Sequence, residues 1–177
     1  MRTEIAVFGG GCFWCTEAIF KRIKGVLSVQ PGYAGGHLPN PTYYQVCDGN
    51  TGHAEVIRIE YDADTISFAD LLDVFWHAHD PTTKDRQGND IGSQYRSIVL
   101  STNDEQMQIA QKSKASADKS GDFLAPIVTE IQALDVFYPA EEYHQDYFTN
   151  NPNQPYCRAV ISPKVRHFFQ VFPNKQK

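Results

Sequence analysis

Glu55-Val56-Ile57-Arg58-Ile59-Glu60-Tyr61 is the stretch from which the fold can be read. Successive side chains of a strand point to opposite faces, so Ile57, Ile59 and Tyr61 share one side with Glu55, and Val56, Arg58 and Glu60 share the other. Strands of an all-parallel sheet, buried on both faces, read as unbroken apolar runs; alternation of this kind belongs to antiparallel or mixed sheets. Upstream, Thr3–Phe8 reads as a buried strand, Cys12–Ile23 as a helix stopped by Gly25, and Val26–Val29 as a short strand. Downstream, Ser67 caps a helix with Asp70 at its third position, and Phe68, Leu71, Leu72, Phe75 and Trp76 form its buried stripe. Tyr95–Leu100 and Ile127–Ala133 read as strands. Thr102 with Glu105 reads as a capping box for a long polar helix ended by Gly121, and Pro139 as the first residue of a short helix through Tyr147. The remainder from Asn150 is expected to be irregular, with a final strand at Arg158–Ile161 and one helical turn after Pro163. The expected fold is α+β. It is a two-layer sandwich with a mixed or antiparallel central sheet and a ferredoxin-like core, and residues 1–177 form a single domain.

Two turn-rich segments interrupt these elements: residues 30–53, and Asp80–Gln94. Structureless connections of that length inside a compact domain are usually functional. The chain has 177 residues and a net charge of −5 without a basic cluster, which argues against nucleic acid as a partner. No apolar run approaches a membrane span. Glu4 and three glycines break any signal-peptide core, so a cytoplasmic location is expected. Four cysteines in such a chain point to catalysis or metal before structural disulfides.

The chemistry concentrates at Gly9-Gly10-Gly11-Cys12-Phe13-Trp14-Cys15. Cys12 opens a helix, where unpaired amides and the macrodipole favour a thiolate, the nucleophilic form. Gly11 lets backbone approach a ligand, and Phe13 and Trp14 offer an apolar wall. Cys12 and Cys15 are three apart, with helical Cβ spacing of roughly 5–6 Å, somewhat wide for a disulfide; Cys15 also reads as a small buried apolar residue. Trp14 stands where a dinucleotide fingerprint needs its third glycine. Cys47 and Cys157 are isolated rather than paired, so neither metal nor cofactor is expected. Glu55 lies on an apolar strand face, where burial raises a carboxyl's pKa and fits it to donate a proton; a strand-end residue reaching water is the competing reading. Tyr33, Tyr43, Tyr44 and Tyr95 could supply hydroxyls to a polar ligand atom. His77, His79 and the Glu141/His144 pair read as structural, and Cys47 as a structural residue apart from any donor.

Gly11-Cys12-Phe13-Trp14, Gly32-Tyr33-Ala34-Gly35-Gly36, Asn40-Pro41-Thr42-Tyr43, Thr51-Gly52-His53-Ala54-Glu55, His79-Asp80-Pro81, Arg86-Gln87-Gly88-Asn89-Asp90, Gln94-Tyr95-Arg96-Ser97 and Tyr143-His144-Gln145 together resemble the A-type peptide methionine sulfoxide reductases, in that family's order. The resemblance implies an oxidoreductase that repairs oxidised proteins by reducing the S-epimer of methionine sulfoxide, free or protein-bound. Cys12 would be the attacking thiol, Phe13 and Trp14 the walls around the S-methyl group, Glu55 the proton donor, Tyr43 and Tyr95 supporting hydroxyls, and Asp90 a polar lining residue. The product on Cys12 would be a sulfenic acid, resolved to a disulfide by Cys157 or by its rival Cys15, and reopened by thioredoxin. A monomer is expected.

Overall fold

The computed structural model describes residues 1–177. Four long or central strands form its middle: β1 (Thr3–Gly9), β2 (Val26–Ala34), β3 (Ala54–Asp62) and, after two short strands β4 (Arg86–Gln87) and β5 (Asp90–Ile91), β6 (Ile98–Ser101). With β7 (Glu130–Ala133) and β8 (Tyr138–Pro139) they make a six-stranded sheet of order β7-β6-β1-β3-β2-β8. β1 pairs antiparallel with β3 and with β6, and β2 pairs antiparallel with β3. The β6–β7 pair alone runs parallel, so the sheet is mixed within an α+β fold, as the alternation in Glu55–Tyr61 implied. Helix α1 (Phe13–Phe20) links β1 to β2, and α3 (Phe68–Ala78) links β3 toward β6.

One sheet face carries the main core. Phe8 of β1 packs its ring against Phe20, Phe68 and Phe75 at centroid distances of 5.8, 5.9 and 4.9 Å. Ile57, Ile59 and Tyr61 join it. The opposite face buries Val7, Val56, Ile98 and Leu100 beneath Leu134 and Phe137. The Ser67/Asp70 capping box of α3 forms as read from the sequence, with the Asp70 amide donating to Ser67 Oγ at 3.0 Å. No helix is long and apolar enough to cross a membrane.

Several expectations change. The first helix ends at Phe20 rather than Ile23, with Cys12 as its N-cap. β2 runs on to Ala34, and the 30–53 segment holds a helix, α2 (Tyr43–Cys47), capped by Thr42 and Gln45. Asp80–Gln94 contains the β4–β5 hairpin, and Tyr95 sits in a 3₁₀ turn ahead of β6. The long helix α4 (Asp104–Lys119) is capped one residue later than expected. Asn103 accepts the Gln106 amide at 2.8 Å while Gln106 Oε1 accepts the Thr102 amide at 2.9 Å. Asn caps as well as Thr, and Gln106 ties back to Thr102, one residue ahead of the cap, rather than closing a box. The strand expected at Ile127–Ala133 begins at Glu130. Pro139 starts no helix; it lies on β8 against Gly32, at an edge where a missing N–H costs nothing. The nearby helix, α5 (Tyr147–Asn150), comes later. The C-terminal segment is helical rather than irregular, a π-helical turn at Cys157–Ile161 running into α6 (Ser162–Val171). The reason is a stripe the sequence reading passed over: Val165, Phe168, Phe169 and Phe172 recur at helical spacing, and all pack on the main core.

Candidate functional site

The site forms where the head of α1 meets the end of β3. Gly11 turns the chain at φ +84, with a built Cβ only 2.6 Å from Gln87 Cγ, so no side chain fits. Its amide donates to the Tyr95 carbonyl at 3.2 Å, which ties this turn to the segment ahead of β6. Cys12 follows as N-cap with extended backbone (φ −61, ψ 127) and remains partly exposed.

Glu55, 1% exposed, reaches across from β3. Its Oε1 accepts the Phe13 amide at 3.1 Å, the first amide of α1. Its Oε2 is buried with no partner. Burial, helped by the nearby Asp90 and Cys15, pushes this carboxyl up to about 8 against the pull of that single N–H. The apolar-face reading of Glu55 therefore holds, and the group is protonated at neutral pH. Tyr43 and Tyr95 both feel its charge, and burial raises their phenols well above the ordinary range. Asp90 sits nearby on β5 and accepts the Tyr156 hydroxyl at 2.7 Å.

The cysteines depart from expectation. Burial, a hydrogen bond with Cys15 and the Glu55 charge push the Cys12 thiol well up, so the helix head does not by itself ionise it. The neighbouring Cys12 and the positive charge of Lys164 pull the Cys15 thiol down, against burial. Cys157 is fully buried within the C-terminal helix and packs on Cys15, Ala18 and Ile161. It does not ride on a loose tail. Cys47 is exposed at the end of α2, with the Tyr43 phenol near enough to act on its thiol.

The aromatic wall is built on Trp14. Its ring stacks on Tyr147 at 3.9 Å and 10°, and its indole N–H donates to His144 Nδ1 at 3.0 Å. Phe13 is fully buried behind it, against Tyr33, Tyr43 and His144. Glu141 accepts the Tyr33 hydroxyl at 2.8 Å and the Tyr43 amide at 2.9 Å. Tyr33 is thereby engaged inside the structure, and Tyr44 stands exposed at the rim. Tyr147, read only as the end of a short helix, and Tyr156, in the segment expected to be irregular, were not singled out as site residues from the sequence. Tyr156 bridges Asp90 and Cys15, its oxygen 3.9 Å from the Cys15 sulfur. A separate cleft of 430 Å³ between α3 and α4, lined by residues such as Asp73, Trp76, His77 and Lys112, contains no cysteine.

Comparison with known proteins agrees with this chemistry. The family described as "Peptide methionine sulfoxide reductase" matches residues 4–176. A peptide methionine sulfoxide reductase MsrA from Saccharolobus solfataricus is 53% identical over 174 residues, covering 98% of this chain and 97% of that protein. Among solved structures, Mxr1 from Saccharomyces cerevisiae in reduced form superposes with a TM-score of 0.80 at 34% identity, over 88% of this chain and 90% of that one. The same yeast protein in complex with Trx2 shares the fold, with a TM-score of 0.56 at 24% identity over 82% and 85% of the two chains. A thiol at a helix head beside a protonated carboxyl thus meets a match running through nearly every residue, and the chain belongs to the peptide methionine sulfoxide reductase family, as an MsrA-type enzyme that reduces methionine sulfoxide.

Proposed function

We propose that residues 1–177 act as one monomeric catalytic domain of the cytoplasm that reduces the S-epimer of methionine sulfoxide, free or in proteins, through a sulfenic acid on Cys12. The observation that carries this is Glu55, buried and protonated, with one oxygen fixed on the Phe13 amide and the other without a partner. A sulfoxide oxygen is a poor leaving group until protonated, and the unpartnered Oε2 supports placing that oxygen there. Tyr43 and Tyr95 add hydroxyl donors, Trp14 faces the methyl group with Phe13 behind it, and Asp90 lines the polar side. A neutral Glu55 also removes an anion from beside the Cys12 sulfur. The Cys12 sulfur attacks the substrate sulfur as the oxygen takes the proton. Oxygen then passes to Cys12, leaving methionine and Cys12 sulfenic acid.

Resolution follows from the thiol order. Cys15 is the thiol whose titration is linked to that of Cys12, and Cys12 packs on the cluster that joins Cys15 to Cys157. Because Cys12 is an extended N-cap, the helical spacing that would hold its Cβ from that of Cys15 does not apply. Cys15 attacks the sulfenic sulfur, water leaves, and a 12–15 disulfide forms. Cys157 stands second, able to displace Cys12 from it by thiol–disulfide exchange. A thioredoxin-type dithiol restores the thiols, in keeping with the yeast relative's solved complex with Trx2.

The test is Cys12→Ser in a coupled thioredoxin assay with a methyl sulfoxide of each epimer. Turnover is expected to vanish, with the wild type consuming only the S form. Retained turnover in the variant moves the nucleophile elsewhere.

A further inference from the structure

Glu17 lies one turn beyond Trp14 on α1, and the reaction above gives it no task. It is 2% exposed, a position in which a carboxyl needs compensating partners. Its Oε2 accepts the Asp146 amide at 2.9 Å, and the Tyr147 amide faces the same carboxylate. Those two N–H groups stand at the head of α5. The N-cap residue there, Asp146, sits at φ 54 and makes no side-chain cap of its own, so the head would otherwise present amides without intrahelical acceptors. Glu17 supplies the acceptor from a different helix. Lys21, the C-cap residue of α1, holds the Asp146 carboxylate in an ion pair. The segment fastened this way carries both partners of the Trp14 indole: Tyr147 on its face and His144 at its N–H.

We propose that Glu17 is a positioning residue for substrate binding: by capping residues 146–147 it locks Tyr147 and His144 around the Trp14 indole and fixes the wall that receives the methyl end of the sulfoxide. The inference rests on the reading of Trp14 as that wall. It separates Glu17 from the reacting atoms, since Cys12 and Glu55 keep their contacts without it. Loss of the cap therefore acts on KM rather than on kcat.

Glu17→Met preserves volume and removes the acceptor, whereas Glu17→Gln keeps one. A Trp76→Phe background leaves Trp14 as the sole tryptophan of the two in the chain. E17M is expected to shift Trp14 emission to the red. It is also expected to raise KM for a methyl sulfoxide about tenfold, as the loss of one buried hydrogen bond implies, with kcat nearly unchanged. E17Q is expected to restore both. Unchanged emission and KM in E17M overturn the proposal, as does a loss confined to kcat. In the wild type, amide exchange at Asp146 and Tyr147 is expected to be slow. Fast exchange at both overturns the capping outright, whether or not the variants fold. A wild type without sulfoxide turnover removes the substrate reading alone, because emission and exchange judge the cap independently of activity.

Discussion

Replacing Glu55 with Gln should make the protein more resistant to alkaline conditions while damaging its chemistry. The folded state lifts the Glu55 carboxyl from 4.5 to about 8. Between those values the native protein holds a proton that the unfolded chain has released, so stability falls as pH rises, and the loss is complete above about 8. The whole shift corresponds to about 5 kcal/mol, of which about 4 kcal/mol is lost between about pH 5 and pH 9. These are upper bounds, because water drawn in around an ionised carboxylate softens the penalty. Gln has no proton to lose and keeps nearly the same shape. The comparison belongs in a Cys12→Ser background, which removes a thiol whose own titration is linked to Glu55. Unfolding free energies of C12S and C12S/E55Q from urea titrations should agree within about 1 kcal/mol near pH 5 and separate by several kcal/mol near pH 9, with the Gln protein the more stable. Parallel pH profiles in the two proteins would refute the argument, since they would mean that the carboxyl ionises in the folded state as it does in water.

The same proton sets the activity profile. The wild-type kcat/KM should decline as pH climbs past about 8, when Glu55 loses the proton it donates, and E55Q should turn over slowly without that declining limb. After one equivalent of sulfoxide without reductant, peptide mapping should find a 12–15 or a 15–157 linkage; a 12–157 linkage in the wild type would remove Cys15 from the relay. Cys15→Ser should let Cys12 sulfenic acid accumulate, detectable as one added oxygen by mass spectrometry. Gly36→Ala places a methyl group 2.3 Å from the His53 amide nitrogen and 2.4 Å from the Thr51 carbonyl oxygen; both are backbone atoms, so thermal unfolding should shift down by several degrees, corresponding to about 2 kcal/mol or more.

Local features of the chain carried much of this. Alternation in Glu55–Tyr61 announced a sheet with a mixed or antiparallel pairing, and it put Glu55 on the inward face where the structure finds it. The Ser67/Asp70 box and the stripe from Phe68 to Trp76 described α3 residue by residue. Elements lacking such periodicity were misread: Pro139 suited a helix start or an edge strand equally well, and only the presence of β2 alongside selected the strand. The C-terminal helix had a usable stripe, but the prolines and polar residues between Asn150 and Pro163 masked it.

What the sequence offered by itself is a set of candidate groups: a thiol at a helix head, an acid on an apolar strand face, aromatic residues beside the thiol. Spacing and side-chain chemistry suffice for that, because both are local. The state of those groups was decided by the tertiary structure. Ionisation depends on desolvation by packing partners far along the chain, so the helix head that favours a thiolate is outweighed by burial. The order Cys12, Cys15, Cys157 likewise exists only because a distant helix packs on α1, bringing together residues that the chain itself keeps far apart.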